Sequence, residues 1–156
     1  MNELKTILEG LDFIDVCHLS TGIYDTDESQ APRIYTGRGR DYKKLNIADT
    51  IKGLAWIYEE NAISNGGTKT STIELYVIVN TERSKLTGKH IDNVNVKQEI
   101  EAEILKAIDF QQDIDIQSHA SEALSRYSNF YETNKQIGKI PYLVWRFDFD
   151  FSYEIC

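Results

Sequence analysis

The most regular pattern in the chain lies near its C-terminal end, where hydrophobic and polar residues alternate from Tyr142 to Ile155. One parity is almost entirely aromatic or aliphatic, and the other carries charged and hydroxyl side chains. This alternation is typical of a β-strand with one face in the core and one face in solvent. At about 3.3 Å per residue the strand would be roughly 45 Å long. Such a length predicts either a bulge in the strand or an extension beyond the sheet toward another subunit. The expected core-facing residues are Leu143, Trp145, Phe147, Phe149, Phe151, Tyr153 and Ile155.

A second alternating pattern predicts a long β-hairpin over residues 54–80. Its turn signal is Asn65, Gly66 and Gly67, because these residues readily adopt the backbone conformations of tight turns. Residues 47–58 fit either a helical or a strand pattern when taken alone. The turn and the clear strand that follow favour a strand, with a short helical turn before it left open.

Three segments have the spacing of amphipathic helices, namely residues 2–14, 94–110 and 118–134. The second has glutamates near its start and a lysine near its end, as the helix dipole prefers. Weaker alternation predicts short strands at 15–24 and 113–117.

These elements predict one α+β domain over residues 1–156. We expect a mainly antiparallel sheet with the long hairpin, a C-terminal core strand over 142–155, and helices packed on one face. A chain of 156 residues with 41% hydrophobic and 27% charged residues has the composition of an ordinary globular domain.

The least regular segment is the charged loop at residues 25–46. It opens with acidic residues and continues with basic ones, and Pro32, Gly37 and Gly39 interrupt regular structure within it. A loop of this length is usually functional or disordered. We interpret it as an arm that binds a neighbouring copy of the chain, although a simple solvated loop also fits the pattern. Its candidate contact residues are Arg33, Arg38, Arg40 and Lys43.

The net charge of the chain reduces the number of functional classes to which it could belong. The formal net charge of −8 argues against a protein that binds nucleic acid by neutralising phosphates. It is compatible with a protein that surrounds DNA without holding it. No run of eighteen apolar residues is present, and the first residues lack a signal-peptide pattern, so we expect neither a membrane span nor a secretory signal.

No catalytic, cofactor or metal motif stands out. The three histidines, His18, His90 and His119, lack ligands at metal-site spacing, and we expect no metal and no cofactor. Cys17 and His18 are adjacent on a predicted strand and therefore point to opposite faces.

Two features could carry chemistry. Asp148 and Asp150 share the polar face of the terminal strand with Arg146, at about 7 Å spacing, and paired carboxylates can bind a divalent ion or divide an acid/base role. A solvated face or a subunit contact explains the same pattern. The segment Gly37–Arg40 could cradle a phosphate, but it lacks the residues of a phosphate loop.

The order of elements is helix, strand, long loop, long hairpin (LAWIYEENAISNGGTKTSTIELYVIVNT), helix (VKQEIEAEILKAI), variable region and final strand (PYLVWRFDFDFSYEI). This layout resembles the tail-completion and tail-terminator proteins of tailed bacteriophages across most of the chain, by arrangement rather than by a signature motif. The charged loop at 25–46 and the extra helix at 118–134 depart from the simplest members.

The resemblance implies a non-enzymatic virion protein that forms a closed homo-oligomeric ring in the neck or at the tail end. Its partners would be its own copies and adjoining neck, portal or tail proteins, with DNA only as passing cargo and no membrane. It would reside in the virion, and in the host cytoplasm during assembly. The candidate contacts are the arm residues above together with Asn65, Gly66, Gly67, Arg146, Asp148 and Asp150.

Two alternatives belong to other classes. A small ligand-binding or enzymatic α+β domain would use the Asp148/Asp150 face or the Gly37–Arg40 loop, and would be a monomer or dimer with a pocket. A small regulatory protein that binds one partner protein is the third hypothesis.

Overall fold

The structure is a computed structural model. It describes residues 2–20, 23–24, 33–35, 42–44, 50–84, 93–108, 113–127, 131–132, 136–139 and 141–154.

Helices and strands alternate irregularly along the chain. The helices are α1 (Asn2–Glu9), α2 (Asn93–Ala107) and α3 (Ala120–Ala123), and a 3-10 turn follows at Ser125–Tyr127. The strands are β1 (Val16–Ser20), β2 (Ile23–Tyr24), β3 (Arg33–Tyr35), β4 (Tyr42–Lys44), β5 (Gly53–Asn65), β6 (Thr68–Asn80), β7 (Asp115–Gln117) and β8 (Tyr142–Glu154).

Five strands form the main sheet in the order β1-β5-β6-β8-β7. Only the pair β1 and β5 is parallel, and the other three pairs are antiparallel. The predicted α+β class is therefore confirmed. Strands β2, β3 and β4 form a separate antiparallel sheet of three strands.

The long C-terminal strand is paired with β6 along its whole described length. The register runs without a shift from Tyr142 opposite Asn80 to Glu154 opposite Thr68. The strand thus has neither the bulge nor the overhang that its length suggested, because the return strand of the hairpin is equally long. The bulge lies instead on β5, where the register shifts between Glu60 and Ile63.

The long hairpin is present as predicted, and the ambiguous segment before it becomes strand from Gly53 onward. A side chain at Gly53 would place its Cβ 2.1 Å from the carbonyl oxygen of Phe13, so only glycine allows this close approach. At the turn, Gly66 and Gly67 have φ of +54° and +93°, which are conformations that glycine adopts without strain.

The main sheet is covered differently on its two faces. Helices α1 and α2 cover one face and enclose the larger apolar cluster, which includes Cys17, Ile100 and Trp145. The opposite face is covered by α3 and the 3-10 turn, which enclose a smaller cluster that includes Leu124 and Tyr127. The prediction that helices pack on one face holds for the two longer helices but not for α3.

The predicted continuous helix at 118–134 is interrupted, since α3 covers only Ala120–Ala123 and helix is described again at residues 131–132. Helix α3 ends at Ala123, and Leu124 leaves helical geometry with φ −100° and ψ 22°. The chain then tightens into the 3-10 turn, which brings Tyr127 into the sheet, where its side chain is fully buried. Tertiary packing of one aromatic residue outweighs a weak helical propensity here.

The charged loop at 25–46 contains regular structure that its sequence did not predict fully. Both β3 and β4 lie inside it. The other residues of this loop lie outside the described part of the chain.

Candidate functional site

The polar face of β8 begins with an ion pair that stays within the molecule. The guanidinium of Arg146 donates from Nε to Asp148 Oδ2 over 3.1 Å. Its Nη1 reaches the carbonyl oxygen of Glu122 at 3.4 Å and Ser125 Oγ at 3.3 Å. Arg146 therefore links β8 to the segment that covers this face.

The two aspartates of this face have different surroundings. Burial raises the pKa of Asp148, and the charge of Arg146 only partly offsets that rise. Asp150 is exposed and accepts a hydrogen bond of 3.0 Å from Thr72 Oγ1. The two carboxylates are thus engaged by different partners rather than converging on one point.

An aromatic cluster lies beside this ion pair, under the 3-10 turn. The rings of Trp56 and Tyr76 stack at a centroid distance of 4.8 Å. Tyr127 packs edge-on against both, at 5.9 Å from Trp56 and 5.2 Å from Tyr76. The rings fill the space between them, so this cluster is packing rather than a ligand cavity.

Glu74 connects the cluster to solvent. Arg126 donates to both of its carboxylate oxygens, from Nε over 2.9 Å and from Nη2 over 2.6 Å, and the hydroxyl of Tyr76 donates to it as well. Burial alone would raise the pKa of Glu74, but these hydrogen bonds outweigh burial, and the pKa lies below its ordinary value. The Arg126 guanidinium also covers the ring of Tyr58 at 4.7 Å.

Sequence reasoning missed this cluster, although the alternation of Leu54, Trp56 and Tyr58 was visible. It marked a face of β5, but nothing in the local pattern indicated that residues 124–127 would cover that face.

The second half of β8 pairs with β6 alone among the described strands. Strand β7 pairs only with residues 146–148. Among the described strands, β8 residues 149–154 have β6 on one side and no strand on the other. Phe149 and Phe151 are buried on the apolar face, whereas Asp150, Ser152 and Glu154 are exposed on the polar face. We call this segment, residues 149–154, the outer half of β8.

Beyond the ends of β1 and β7 the main sheet has the three strands β5, β6 and β8. Its other side, on β5, is built differently from β8. Strand β1 pairs with β5 only up to Tyr58, so residues 59–65 form the other side. This side contains the bulge. Glu59 also accepts a hydrogen bond from Ser71 and forms an ion pair with Lys69 at 3.1 Å. Bulges and charges are the usual protection of a strand against unwanted pairing.

The hairpin tip projects into solvent. Asn65, Gly66 and Gly67 are exposed, and a Cβ on either glycine would meet no atom within 4 Å. Ile63 beside the tip is 65% exposed, which is unusual for a large aliphatic side chain in a strand. The tip is therefore accessible to a neighbouring molecule.

The predicted arm residues are only partly described. Arg33 and Lys43 lie on the paired strands β3 and β4, where Arg33 is opposite Lys44. Arg38 and Arg40, and with them the Gly37–Arg40 segment, lie outside the described residues. Strand β3 contacts β1, so the small sheet adjoins the β1 side of the main sheet, away from β8.

A cleft of about 560 Å³ lies between the end of α1 and the outer side of α2. Asp12, Glu99 and Glu103 give its lining an acidic character. In the described part of the chain, no three histidine, cysteine or carboxylate residues are grouped so that they could hold a metal ion. None of the described helices is long and apolar enough to cross a membrane.

The comparisons with known proteins add no assignment: no protein-family model, no curated protein and no solved structure matches this chain.

Proposed function

We propose that the protein is a non-enzymatic structural subunit of a tailed bacteriophage virion that assembles with its own copies into a closed ring. The ring would lie in the neck or at the tail end, with DNA passing through its lumen. The layout of hairpin, helix and long terminal strand that suggested this role is consistent with the α+β fold. The observation that carries the proposal is the projecting hairpin tip with the exposed side chain of Ile63 beside it.

An aliphatic side chain exposed at a projecting tip favours contact with another molecule, because the contact removes its apolar surface from water. Ile63 is 65% exposed beside this tip. The exposed Asp150, Ser152 and Glu154 on β8 add a polar surface of the kind found at the rim of an interface. A subunit of a closed ring places such surfaces against a neighbouring copy.

Chemistry at the Asp148/Asp150 face has less support. Arg146 neutralises Asp148 and is itself fixed to the segment that covers the face. Asp150 hydrogen bonds to Thr72 and points to solvent. A polar face with these partners serves structure, and its exposed part is available for contact between subunits.

The test is the mass of the purified protein in solution, measured by light scattering over a range of concentrations. We expect a species of many subunits for the wild-type chain. Deletion of residues 25–44, which removes β3 and β4, should reduce it to a monomer if the arm holds the ring together. Circular dichroism of the deletion variant checks that the main sheet remains folded.

A wild-type monomer at every concentration would overturn the proposal of a self-assembling ring. In that case, binding of a divalent ion or a nucleotide by the monomer would support the enzymatic or ligand-binding alternative.

A further inference from the structure

We infer that the hairpin tip of one subunit, residues 63–68, docks into the cleft between α1 and α2 of the next subunit. The inference rests on the proposed function and names the contact between neighbouring copies. Two surfaces of the described region carry it. One is a projecting turn with an exposed aliphatic side chain, and the other is a cleft with a partly apolar, partly acidic lining.

The tip brings an apolar side chain to the contact on a narrow turn. Ile63 is 65% exposed, and residues 64–68 that follow it are exposed as well. A Cβ on Gly66 or Gly67 would meet no atom within 4 Å, so the turn stands clear of the rest of the subunit. Burial of the Ile63 side chain against another molecule would remove its apolar surface from water.

The cleft offers a receptor of matching chemistry. Its volume of about 560 Å³ is large enough to take side chains of a partner, and its described lining includes the apolar residues Leu11, Phe13 and Ile100. Ile7 lies one turn before the cleft, where its carbonyl oxygen accepts a hydrogen bond from the Gly10 amide over 3.2 Å. Its side chain is 37% exposed. The large hydrophobic side chains that are exposed in the described region therefore lie on the two surfaces that this contact would join.

The charge of the two surfaces also favours this contact. Asp12 and Glu103 make the cleft acidic, whereas residues 61–70 (NAISNGGTKT) contain no carboxylate. The tip therefore approaches the cleft without repulsion between like charges. The side-chain amide of Asn65 and the backbone N–H groups of the turn are donors of the kind that carboxylates accept.

The two surfaces lie at opposite ends of the long hairpin. Phe13 in the cleft lining has its carbonyl oxygen against Gly53, where β5 begins. The amine of Lys52 reaches the carbonyl oxygen of Asp12 over 3.1 Å. The tip lies at the other end of β5, which has 13 residues and is roughly 40 Å long at about 3.3 Å per residue. The tip of one subunit is thus far from its own cleft, and the contact is head-to-tail between copies. Contacts of this type form a ring when the rotation between copies closes.

The first test locates the contact by crosslinking in the full-length chain. Cys156→Ser removes the terminal thiol, and Cys17 stays buried in the core. Asn65→Cys then places a thiol at the tip, and Glu103→Cys places one at the cleft. A chain with both thiols should give a ladder of covalent multimers with a short bismaleimide on a denaturing gel. Each chain with one of these thiols should stay monomeric on the same gel.

A matched control moves the second thiol to another exposed position. Lys139 is exposed and lies close to Ile137, which belongs to the apolar cluster under α3 on the opposite face of the sheet. A chain with Asn65→Cys and Lys139→Cys should give no ladder.

The second test asks whether the contact stabilises the assembly, with the mass in solution as the readout. Ile63→Ser should raise the concentration at which the multimer dissociates by about tenfold or more, because the side chain no longer contributes apolar burial. Ile63→Leu keeps the aliphatic surface and should assemble like the wild-type chain. Ala102→Trp fills part of the cleft and should weaken assembly. Lys106→Trp should not, since Lys106 is exposed on the same helix but is not part of the described lining.

The outcomes separate this inference from the proposed function. A wild-type chain that is always a monomer overturns both. A wild-type multimer without the tip-to-cleft ladder overturns the contact but leaves the ring, and so does crosslinking of Asn65→Cys to itself, which indicates a tip-to-tip contact. A ladder combined with normal assembly of Ile63→Ser and Ala102→Trp also overturns the contact, because the two surfaces would then be near each other without holding the subunits together.

Discussion

The two halves of β8 have the same alternating pattern but lie in different surroundings. In residues 142–148 both faces are covered, and β7 pairs with the last three of them. In residues 149–154 the apolar face is buried and the polar face is exposed, and among the described strands β6 is the one that pairs with this half. The first half therefore stabilises the fold, whereas the second half presents exposed polar side chains to other molecules.

The difference arises from a segment distant in sequence. Residues 120–127 cover the polar face of the first half, where Arg146 contacts α3 and the 3-10 turn and pairs with Asp148. They do not cover Asp150 or Glu154, which stay exposed. Alternation in a strand determines which side chains share a face, but not whether another element covers that face.

The largest effect that would sharpen this contrast is a pair of truncations in β8. Phe147→Ala should lower the free energy of unfolding by about 3–5 kcal/mol, because the fully buried ring leaves a cavity. Ser152→Ala, in the exposed half, should change it by less than about 0.5 kcal/mol. Urea unfolding followed by circular dichroism measures both. Equal losses would contradict the division of β8 into a core half and a surface half.

An effect of intermediate size on stability is expected where residues 120–127 meet the sheet. Arg126→Ala removes two hydrogen bonds to the half-buried Glu74 carboxylate and the cover of Tyr58. We expect a loss of about 1–2 kcal/mol, since Arg126 is itself partly exposed and water replaces some of the interaction.

The matched control for that change is Lys5→Ala, which breaks an exposed ion pair with Glu9 on α1. Its expected cost is about 0.3–0.5 kcal/mol. The same urea experiment compares them. If Arg126→Ala costs no more than Lys5→Ala, the covering segment does not depend on its contact with Glu74.

The smallest expected effect is a change in how the stability of the fold depends on pH in the acid range. Because the folded pKa of Glu74 is lowered, its ionised form stabilises the fold above the pKa of the unfolded chain, about 4.5, and this stability is lost as the pH falls through the folded value. Glu74→Gln should be less stable near neutral pH and should lose less stability below about pH 4.5. Thermal melting as a function of pH measures this change in slope.

The pKa of Asp148 is shifted in the opposite direction to that of Glu74, which provides a check on the same face of the sheet. Its raised pKa means that ionisation opposes folding, so its contribution becomes more favourable as the pH falls through the folded value toward 3.8. Asp148→Asn should therefore steepen the acid-induced loss, whereas Glu74→Gln should reduce it. Parallel pH profiles for the two variants would contradict the assignment of their environments.

Local patterns predicted the main sheet well because each strand carries its own signal. The alternation after Tyr142 and the turn at Gly66 and Gly67 are visible without knowledge of the rest of the chain, and both elements are present where they were expected. The different surroundings of the two halves of β8 were not predictable, because they depend on where β7 pairs with β8 and on which residues α3 covers. That limit is set by tertiary structure.

Residues 120–127, which cover this face of the sheet, also differ from what their local pattern predicted. Helical spacing over 118–134 predicted a continuous helix, but the edge-on packing of Tyr127 against the stacked rings of Trp56 and Tyr76 requires the chain to leave the helix after Ala123. Its partners, Trp56 and Tyr76, lie on strands that precede it by about fifty or more positions in the sequence. A pattern restricted to neighbouring residues contains no information about such partners.

The buried thiol of Cys17 gives the protein an internal reporter of its own opening. Its side chain is fully buried, and burial, reinforced by the charge of Glu9, raises its pKa to about 12. Since the thiolate is the reactive form, the folded chain protects this sulfur both from contact with a reagent and from ionisation. With Cys156 replaced by serine, Cys17 is the one remaining thiol. The rate at which it reacts with a thiol reagent then measures how often the core beneath α1 becomes accessible, in a monomer or in an assembly.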